Sequence, residues 1–305
     1  MGRFSRKGAI ALLALAAVAL WGQDAPIFRV STKLVRLIVT VKNPKGELVG
    51  DLKKEEFKLT DLGVPQTIAV FEHHTEVPLS VSILVDTSGS TGKDIGYEIE
   101  SVRKFIRAIL KEGNEEDSVS VYGFNHDVTL LSSFTRREDR LTGALGRLKA
   151  EMGGTSLHDA VYLASRQIED RDGRHVMIIV TDGGDTTSKQ TFANSLKMVQ
   201  SSESIVYPIL VTPITNEPGR NLGGERVLSQ FASNTGGRMF EPTQSNQLDR
   251  IFGEILRDLR TQYLIGYYPA NMPRETPAFH AVKVDVTRPE LRVSTRTGYY
   301  EDAAK

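Results

Sequence analysis

Three oxygen-bearing side chains stand at alternate positions directly after an apolar run. Asp86, Ser88 and Ser90 close the stretch LSVSILVDTSGS, which begins at Leu79. An apolar strand that delivers Asp-x-Ser-x-Ser to its C-terminal end places these groups at the edge where α/β sheets bind ligands. Hard oxygen donors without Cys or His suit Mg²⁺, Mn²⁺ or Ca²⁺ rather than zinc or copper. Alone, the pattern reads equally well as a turn and helix cap, because Asp and Ser favour both. Two further loops add weight. Gly153-Gly154-Thr155 precedes a helical pattern, and Thr181-Asp182-Gly183-Gly184-Asp185 follows the continuous apolar run at 176–180. If the strand ending at Val180 lies beside the one ending at Asp86, where strand order reverses, both loops face one crevice. Asp86, Ser88, Ser90, Thr155 and Asp182 then offer two carboxylates and three hydroxyls, which with water complete the oxygen shell of a hard dication.

Those residues need an alternating strand and helix framework, and the chain has one from Leu79 onward. Strands are expected at 79–86, 118–124, 128–134, 176–180 and 205–211, with a short edge strand at 238–240. Apolar residues at three- and four-residue spacing predict helices over 94–111, 136–149, 156–169, 190–200, 224–234 and 247–262. The turn Asn125-His126-Asp127 makes the second and third strands antiparallel. The rest implies a mainly parallel, doubly wound sheet with helices on both faces. Before Leu79 the chain is β-rich, with strands expected at 29–32, 34–41, 57–60 and 66–71. After Gln262 it returns to β at 263–268, 281–286 and 291–296. Few strands bury little surface alone, so both ends are expected to pair into one β satellite.

On these residues the chain from about 79 to 262 resembles a von Willebrand factor type A domain. Asp86-x-Ser88-x-Ser90, Thr155 in its Gly-Gly-Thr loop and Asp182 in its Thr-Asp-Gly loop match that family's metal-ion-dependent adhesion site at all five positions. The resemblance implies Ser and Thr hydroxyls that ligate Mg²⁺ directly, with one or both aspartates acting through water. It also implies one coordination position left for an acidic group of a protein partner. The whole chain, with its β flanks and the closing Arg296-Thr297-Gly298-Tyr299-Tyr300, is similar to secreted type A domain proteins of acidobacteria. Neutral hydroxyl ligands leave a dication under-neutralised and so attractive to a carboxylate in a partly dry crevice.

Other chemistries find less footing. Ser156 and Asp159 read as a capping box with Asp in place of Glu, His158 as an exposed first-turn residue, with contact to a ligand beside Thr155 as its alternative, and Asp185 as a solvated loop residue, with orientation of the site as its alternative. His73 and His74, adjacent on a strand, point to opposite faces and are read as a linker feature. Ser88 is not in a Gly-x-Ser-x-Gly elbow, and His158 is the one nearby general-base candidate for a metal-dependent hydrolase. An enzyme is therefore not expected.

Composition and the N-terminus set the address. The chain has 305 residues, 40% apolar and 25% charged, as in ordinary globular proteins. Its formal net charge of zero gives nucleic-acid binding no electrostatic support. Arg3, Arg6 and Lys7 precede an apolar run at 9–20 and a polar exit, as in a secretory signal peptide. That run is too short for a typical spanning helix, although an uncleaved anchor is the alternative. Its removal leaves 35 basic against 38 acidic residues, a net of −3. The absence of cysteine excludes disulfides and a lipid-modified N-terminal cysteine. The expected organisation is a signal peptide at 1–23, a β module at 24–77, the type A domain at 78–262 and β strands at 263–305. The expected function is a secreted or periplasmic, divalent-metal-dependent protein-binding module for adhesion or assembly, with no transmembrane segment in the mature chain. The alternatives are a hydrolase using the same ion and an accessory subunit of an ATPase-driven assembly system. The leader speaks against the second, whose partners work in the cytosol.

Overall fold

The computed structural model describes residues 33–73, 77–89, 95–211, 221–273 and 275–301. The expected leader, the strand expected at 29–32, His74 and Ser90 lie outside them. The chain opens with β1 (Val35–Lys42), β2 (Phe57–Asp61), β3 (Val64–Gln66) and β4 (Ile68–Glu72). It continues with β5 (Leu79–Asp86), α1 (Ile95–Glu112), β6 (Ser118–Phe124), β7 (Val128–Thr135), α2 (Glu138–Leu145) and α3 (Leu157–Ile168). Then come β8 (Arg174–Thr181), α4 (Phe192–Ser201), β9 (Ile205–Leu210), α5 (Leu222–Thr235) and α6 (Leu248–Arg260). It closes with β10 (Tyr263–Tyr267), β11 (Phe279–Val286), β12 (Arg292–Ser294) and β13 (Gly298–Tyr300).

Strands β5, β6, β8 and β9 are buried along their whole length; β8 and β9 accordingly read as near-continuous apolar runs, while β5 and β6 also bury Ser80, Ser82, Ser118 and Ser120. They form one sheet in the order β7-β6-β5-β8-β9. Pairing is parallel except at β7, which runs antiparallel to β6. Side chains alternate between two cores. Val81, Ile83 and Val85 face α1, α2 and α6, with Phe105, Leu141 and Phe252 among their neighbours. Leu84, Met177 and Ile179 face α3, α4 and α5, with Leu157, Val199 and Phe231. The chain winds to one side of β5 through β6 and β7, then to the other through β8 and β9. The reversal falls between β5 and β8, so the crevice lies beyond the C-terminal ends of those two strands. This is the expected doubly wound α/β class with its β satellite.

The satellite is a sandwich of two four-stranded sheets, β12-β1-β10-β4 and β13-β11-β2-β3; strands from the two chain ends alternate in the first, and a C-terminal pair adjoins an N-terminal pair in the second. They share one core containing Leu37, Val39, Phe57, Leu59, Tyr263, Ile265 and Val284. Inside it the carboxylate of Asp61, wholly buried, accepts hydrogen bonds from Tyr267 Oη at 2.9 Å and Tyr299 Oη at 2.8 Å. His280 Nδ1 lies 3.1 Å from its other oxygen. The two lobes meet along a polar seam. Lys42 reaches Asp258 at 3.1 Å, Gln262 donates to Thr40 Oγ1 at 3.1 Å, and Arg296 bridges Glu203 (3.2 Å) and the Arg36 carbonyl (2.8 Å).

Several boundaries differ from the sequence reading. The helix expected over 136–149 stops at Leu145, where Gly143 and Gly146 weaken it. The edge strand expected at 238–240 is a single bridge between Phe240 and Ile209; the Arg238 guanidinium is occupied by Glu254 and Asp258 and covers the Phe240 ring. The strand expected at 66–71 divides into β3 and β4, and β13 is a strand that the sequence reading omitted. His73 is no linker feature: its Nδ1 lies 3.0 Å from the Gly50 carbonyl, and its ring packs edge-on to Phe71 and Tyr263. Among the described residues no helix is long and apolar enough to cross a membrane.

Candidate functional site: an oxygen-lined crest at the strand reversal

Asp86 is the last residue of β5 and lies beside Thr181, the last of β8, because the preceding residues Val85 and Val180 pair. Thr181 Oγ1 donates to Asp86 Oδ2 at 2.6 Å and accepts from the Gly183 amide at 3.1 Å. The Ser88 amide donates to Asp86 Oδ1 at 2.9 Å, folding the loop back over the strand end. The Asp86 carboxyl is fully shielded from water. Burial lifts its pKa to about 6, against the pull of hydrogen bonds from Thr181 and from the amide and hydroxyl of Ser88; the charge of nearby Asp182 adds to the rise. Between Asp86 and Ser88, Thr87 turns away and fastens the loop to β6, its amide and hydroxyl both donating to the Phe124 carbonyl.

Thr155 precedes α3 and is laced to the loop after β8. Its carbonyl accepts from the Thr186 and Thr187 amides at 2.8 and 3.2 Å, and its amide donates to Thr186 Oγ1 at 2.9 Å. A side chain at Gly154 would strike Thr187 and Thr186 at 2.5 and 2.7 Å, so the close approach requires glycine. Asp182 is partly exposed, and its Oδ1 accepts from the Gly184 amide at 3.2 Å. Thr155 Oγ1 and Asp182 Oδ1 converge, at 3.9 and 3.5 Å from the point where a Cβ on Gly184 would stand. The first turn of α5 closes this side. Asn221 caps the helix by accepting from the Gly224 amide at 2.9 Å. A Cβ on Gly224 would fall 1.6 Å from the Gly183 carbonyl oxygen.

Of the five residues read from the sequence, Asp86, Ser88, Thr155 and Asp182 thus stand on three adjoining loops of one crest; Ser90 lies outside the described residues. Among the described residues no three His, Asp or Glu side chains cluster to hold an ion by charge alone. Two carboxylates with hydroxyls beside them are the donor chemistry that a hard dication takes. A desolvated carboxyl next to a second acid also gains by having a cation near it. The residues present therefore fit such an ion.

Four neighbours were misread. Ser156 makes no capping bond; its hydroxyl donates to the His126 carbonyl at 2.8 Å and meets Thr187 Oγ1 at 2.8 Å. Asp159 accepts the amides of Lys189 and Gln190, thirty residues downstream. Asp185 is no solvated residue. It accepts from the His158 amide (3.1 Å) and Ser188 Oγ (2.6 Å), and its other oxygen lies 3.3 Å from His158 Nδ1. Burial raises the Asp185 pKa, but these hydrogen bonds outweigh it and hold it below the usual carboxylate range. His158 in turn is largely buried, its Nε2 shielded and its ring set toward Phe192 and Phe231. Asp185 and His158 therefore tie the loop after β8 to the first turn of α3. Thr181, Thr186, Asn221 and Asn125, whose carbonyl accepts the Ser156 amide at 2.6 Å, support the site without having been singled out. Only Asn221, before an apolar-periodic stretch, carried a local signal, that of a helix cap.

Residues 81–184 match the von Willebrand factor type A domain family model. No curated protein matches the chain. Among solved structures, the vWF domain of the type V pili tip protein Mfa5 from Porphyromonas gingivalis is similar at 13% identity and a TM-score of 0.50, over 61% of this chain and 97% of that one. That likeness shows the fold. An aerotolerance-related membrane protein from Bacteroides fragilis matches at 19% identity and a TM-score of 0.46, over 59% of this chain and 98% of its own. The conserved hypothetical protein BatB from Bacteroides thetaiotaomicron matches at 19% and 0.46, over 60% and 100%.

Proposed function

We propose that the crest is a divalent-metal clasp for a protein partner in the cell envelope or outside the cell. Asp86, Ser88, Ser90, Thr155 and Asp182 would hold the ion, with Mg²⁺ the first choice and Mn²⁺ or Ca²⁺ the alternatives. When bound, the ion supplies a Lewis-acid position for an Asp or Glu carboxylate of the partner. The observation that carries this reading is the convergence of Asp86, Ser88, Thr155 and Asp182 at the strand reversal, around a carboxyl held out of water. The stretch matching the type A domain model contains all five residues. The pilus tip neighbour and the leader-like N-terminus favour adhesion or envelope assembly as the setting. Thr181 and the Ser88 amide fix the Asp86 carboxyl, while Asp185, Ser188 and Thr186 hold the Thr155 and Asp182 loops in register. Hydrolysis at the same ion has less support, because His158 is engaged with Asp185 and faces aromatic rings.

The test is a pull-down from envelope extract with immobilised protein in Mg²⁺ or EDTA, comparing wild type with Ser88→Ala/Asp182→Ala. Proteins retained by the wild type in Mg²⁺ alone, and lost by the double variant, are the expected result. The same proteins retained whatever the metal and the variant would overturn the reading.

A further inference from the structure

The two most exposed large apolar side chains among the described residues both stand on this crest. Met152 is 93% exposed and Leu222 67%, while Leu130, Leu163 and Tyr268 lie between 41% and 46%. Singly exposed apolar side chains are common on protein surfaces, but a pair on the two sides of one crevice is within reach of whatever enters it, and methionine adapts its shape to varied partners. Each is anchored by the architecture. The Glu151 amide donates to the Thr87 carbonyl at 2.8 Å, and Glu151 bridges in parallel to Ser88. The next residue, Met152, therefore overhangs the β5 loop, its sulfur 3.2 Å from where a Cβ on Gly89 would stand. Leu222 opens α5 next to Asn221, two residues before the Gly224 that presses on Gly183. The Leu210 side chain at the end of β9 lies 3.2 Å from a Cβ position on that same Gly183. In the order β5-β8-β9 the four described oxygen residues are flanked by Met152 on the β5 side and by Leu222 on the β9 side.

Resting on the clasp reading, we infer that the partner presents its carboxylate on an extended segment with large apolar side chains two residues before and two residues after the acid. From β5 to β9 is two strand spacings, ~10 Å. In an extended chain, side chains at i−2, i and i+2 point the same way, and the outer two are ~13 Å apart. With the central acid directed at the ion, the outer pair comes down on Met152 and Leu222. The opposite charges of ion and carboxylate set the position, and the apolar contacts supply affinity that does not depend on charge. The surface thus selects an apolar-x-acidic-x-apolar segment over an acidic residue in a polar context.

Synthetic peptides test this on the full chain. A Gly/Ser-based nonapeptide with one central Glu is made with Leu, or with Ser, at both positions two residues away. Each is titrated by fluorescence anisotropy in Mg²⁺ and in EDTA. The Leu-flanked peptide is expected to bind about tenfold tighter in Mg²⁺, as for partial burial of two side chains at a surface, and to be released by EDTA. In Met152→Ser/Leu222→Ser that advantage disappears, while Mg²⁺ still raises the melting temperature as in wild type. Equal Mg²⁺-dependent binding of both peptides overturns the inference and leaves the clasp standing. An advantage that survives in the double variant overturns it too. No Mg²⁺-dependent binding of either peptide overturns the clasp itself, and this inference with it.

Discussion

Buried at the crest, Asp86 carries a cost that a cation beside it would return. Its carboxyl is out of water and its pKa is raised to about 6. A carboxyl raised above its unfolded value takes up protons on folding between the two values. Its contribution is therefore full below about pH 4 and is lost as pH climbs through 6, by up to about 3 kcal/mol. Metal-free wild type is expected to lose more stability in urea between pH 4 and pH 7 than Asp86→Asn does; parallel pH profiles would contradict this. Asp159 acts in the opposite sense, as a ready acceptor for two loop amides. Asp159→Ala should cost roughly 2 kcal/mol, as for a hydrogen bond to a charged group, read from the urea midpoint. The oxygen residues of the crest were legible because residue type alone declares a hard donor. Ser156 and Asp159 were not, because a capping box is a local pattern and the partners that won lie about thirty residues away. Thr181 escaped notice because its bond to Asp86 spans ninety-five positions and depends on strand pairing.

At the scale of elements, the site is the meeting of strand ends with two helix starts. Buried strand β8 was legible as an apolar run, since a strand covered on both faces needs no polar side; β5 and β6 alternate serines with apolar residues, and Ser120 donates to Ser82 inside the sheet. The short elements were not. β13 is three residues long, and its pairing with β11 is visible only once the chain has returned to the satellite. The start of α5 is the element-level constraint least visible in sequence, because Gly224 reads as a weak helix residue rather than a contact point. Gly224→Ala puts a methyl group into the Gly183 carbonyl. It is expected to displace the loop carrying Asp182 and weaken Mg²⁺ binding at least tenfold, about 1.4 kcal/mol, measured by calorimetric titration. Gly223→Ala, one residue earlier, meets only the side chain of Asn221 at 3.4 Å and serves as the control. Equal affinities in the two variants would show that α5 does not set the site.

For the molecule as a whole, the sandwich and the α/β lobe are joined by the contacts of Lys42, Gln262 and Arg296 and by Ile38, which packs against the α/β core. A single cooperative urea transition is expected, followed alike by tryptophan-independent circular dichroism and by hydrogen exchange in both lobes. Two separated transitions would contradict a shared seam. Inside the sandwich, Asp61→Ala strips Tyr267 and Tyr299 of their buried acceptor. Unsatisfied buried donors cost about 1–3 kcal/mol each, so a loss of roughly 3 kcal/mol or more is expected, larger than for Asp61→Asn. The pairing of both chain ends was anticipated from the need to cover strand edges. The Asp61 cluster was not, because Asp61 lies more than two hundred residues from each of its partners along the chain.

The central claim is that the crest holds a divalent ion, and the melting temperature in rising Mg²⁺ tests it most directly. At an ion concentration a hundredfold above the dissociation constant, binding should stabilise the fold by about 2.7 kcal/mol. A rise in melting temperature for wild type, absent in Thr155→Ala/Asp182→Ala, is the predicted result. No rise at millimolar Mg²⁺, Mn²⁺ or Ca²⁺, or an equal rise in the double variant, would contradict it.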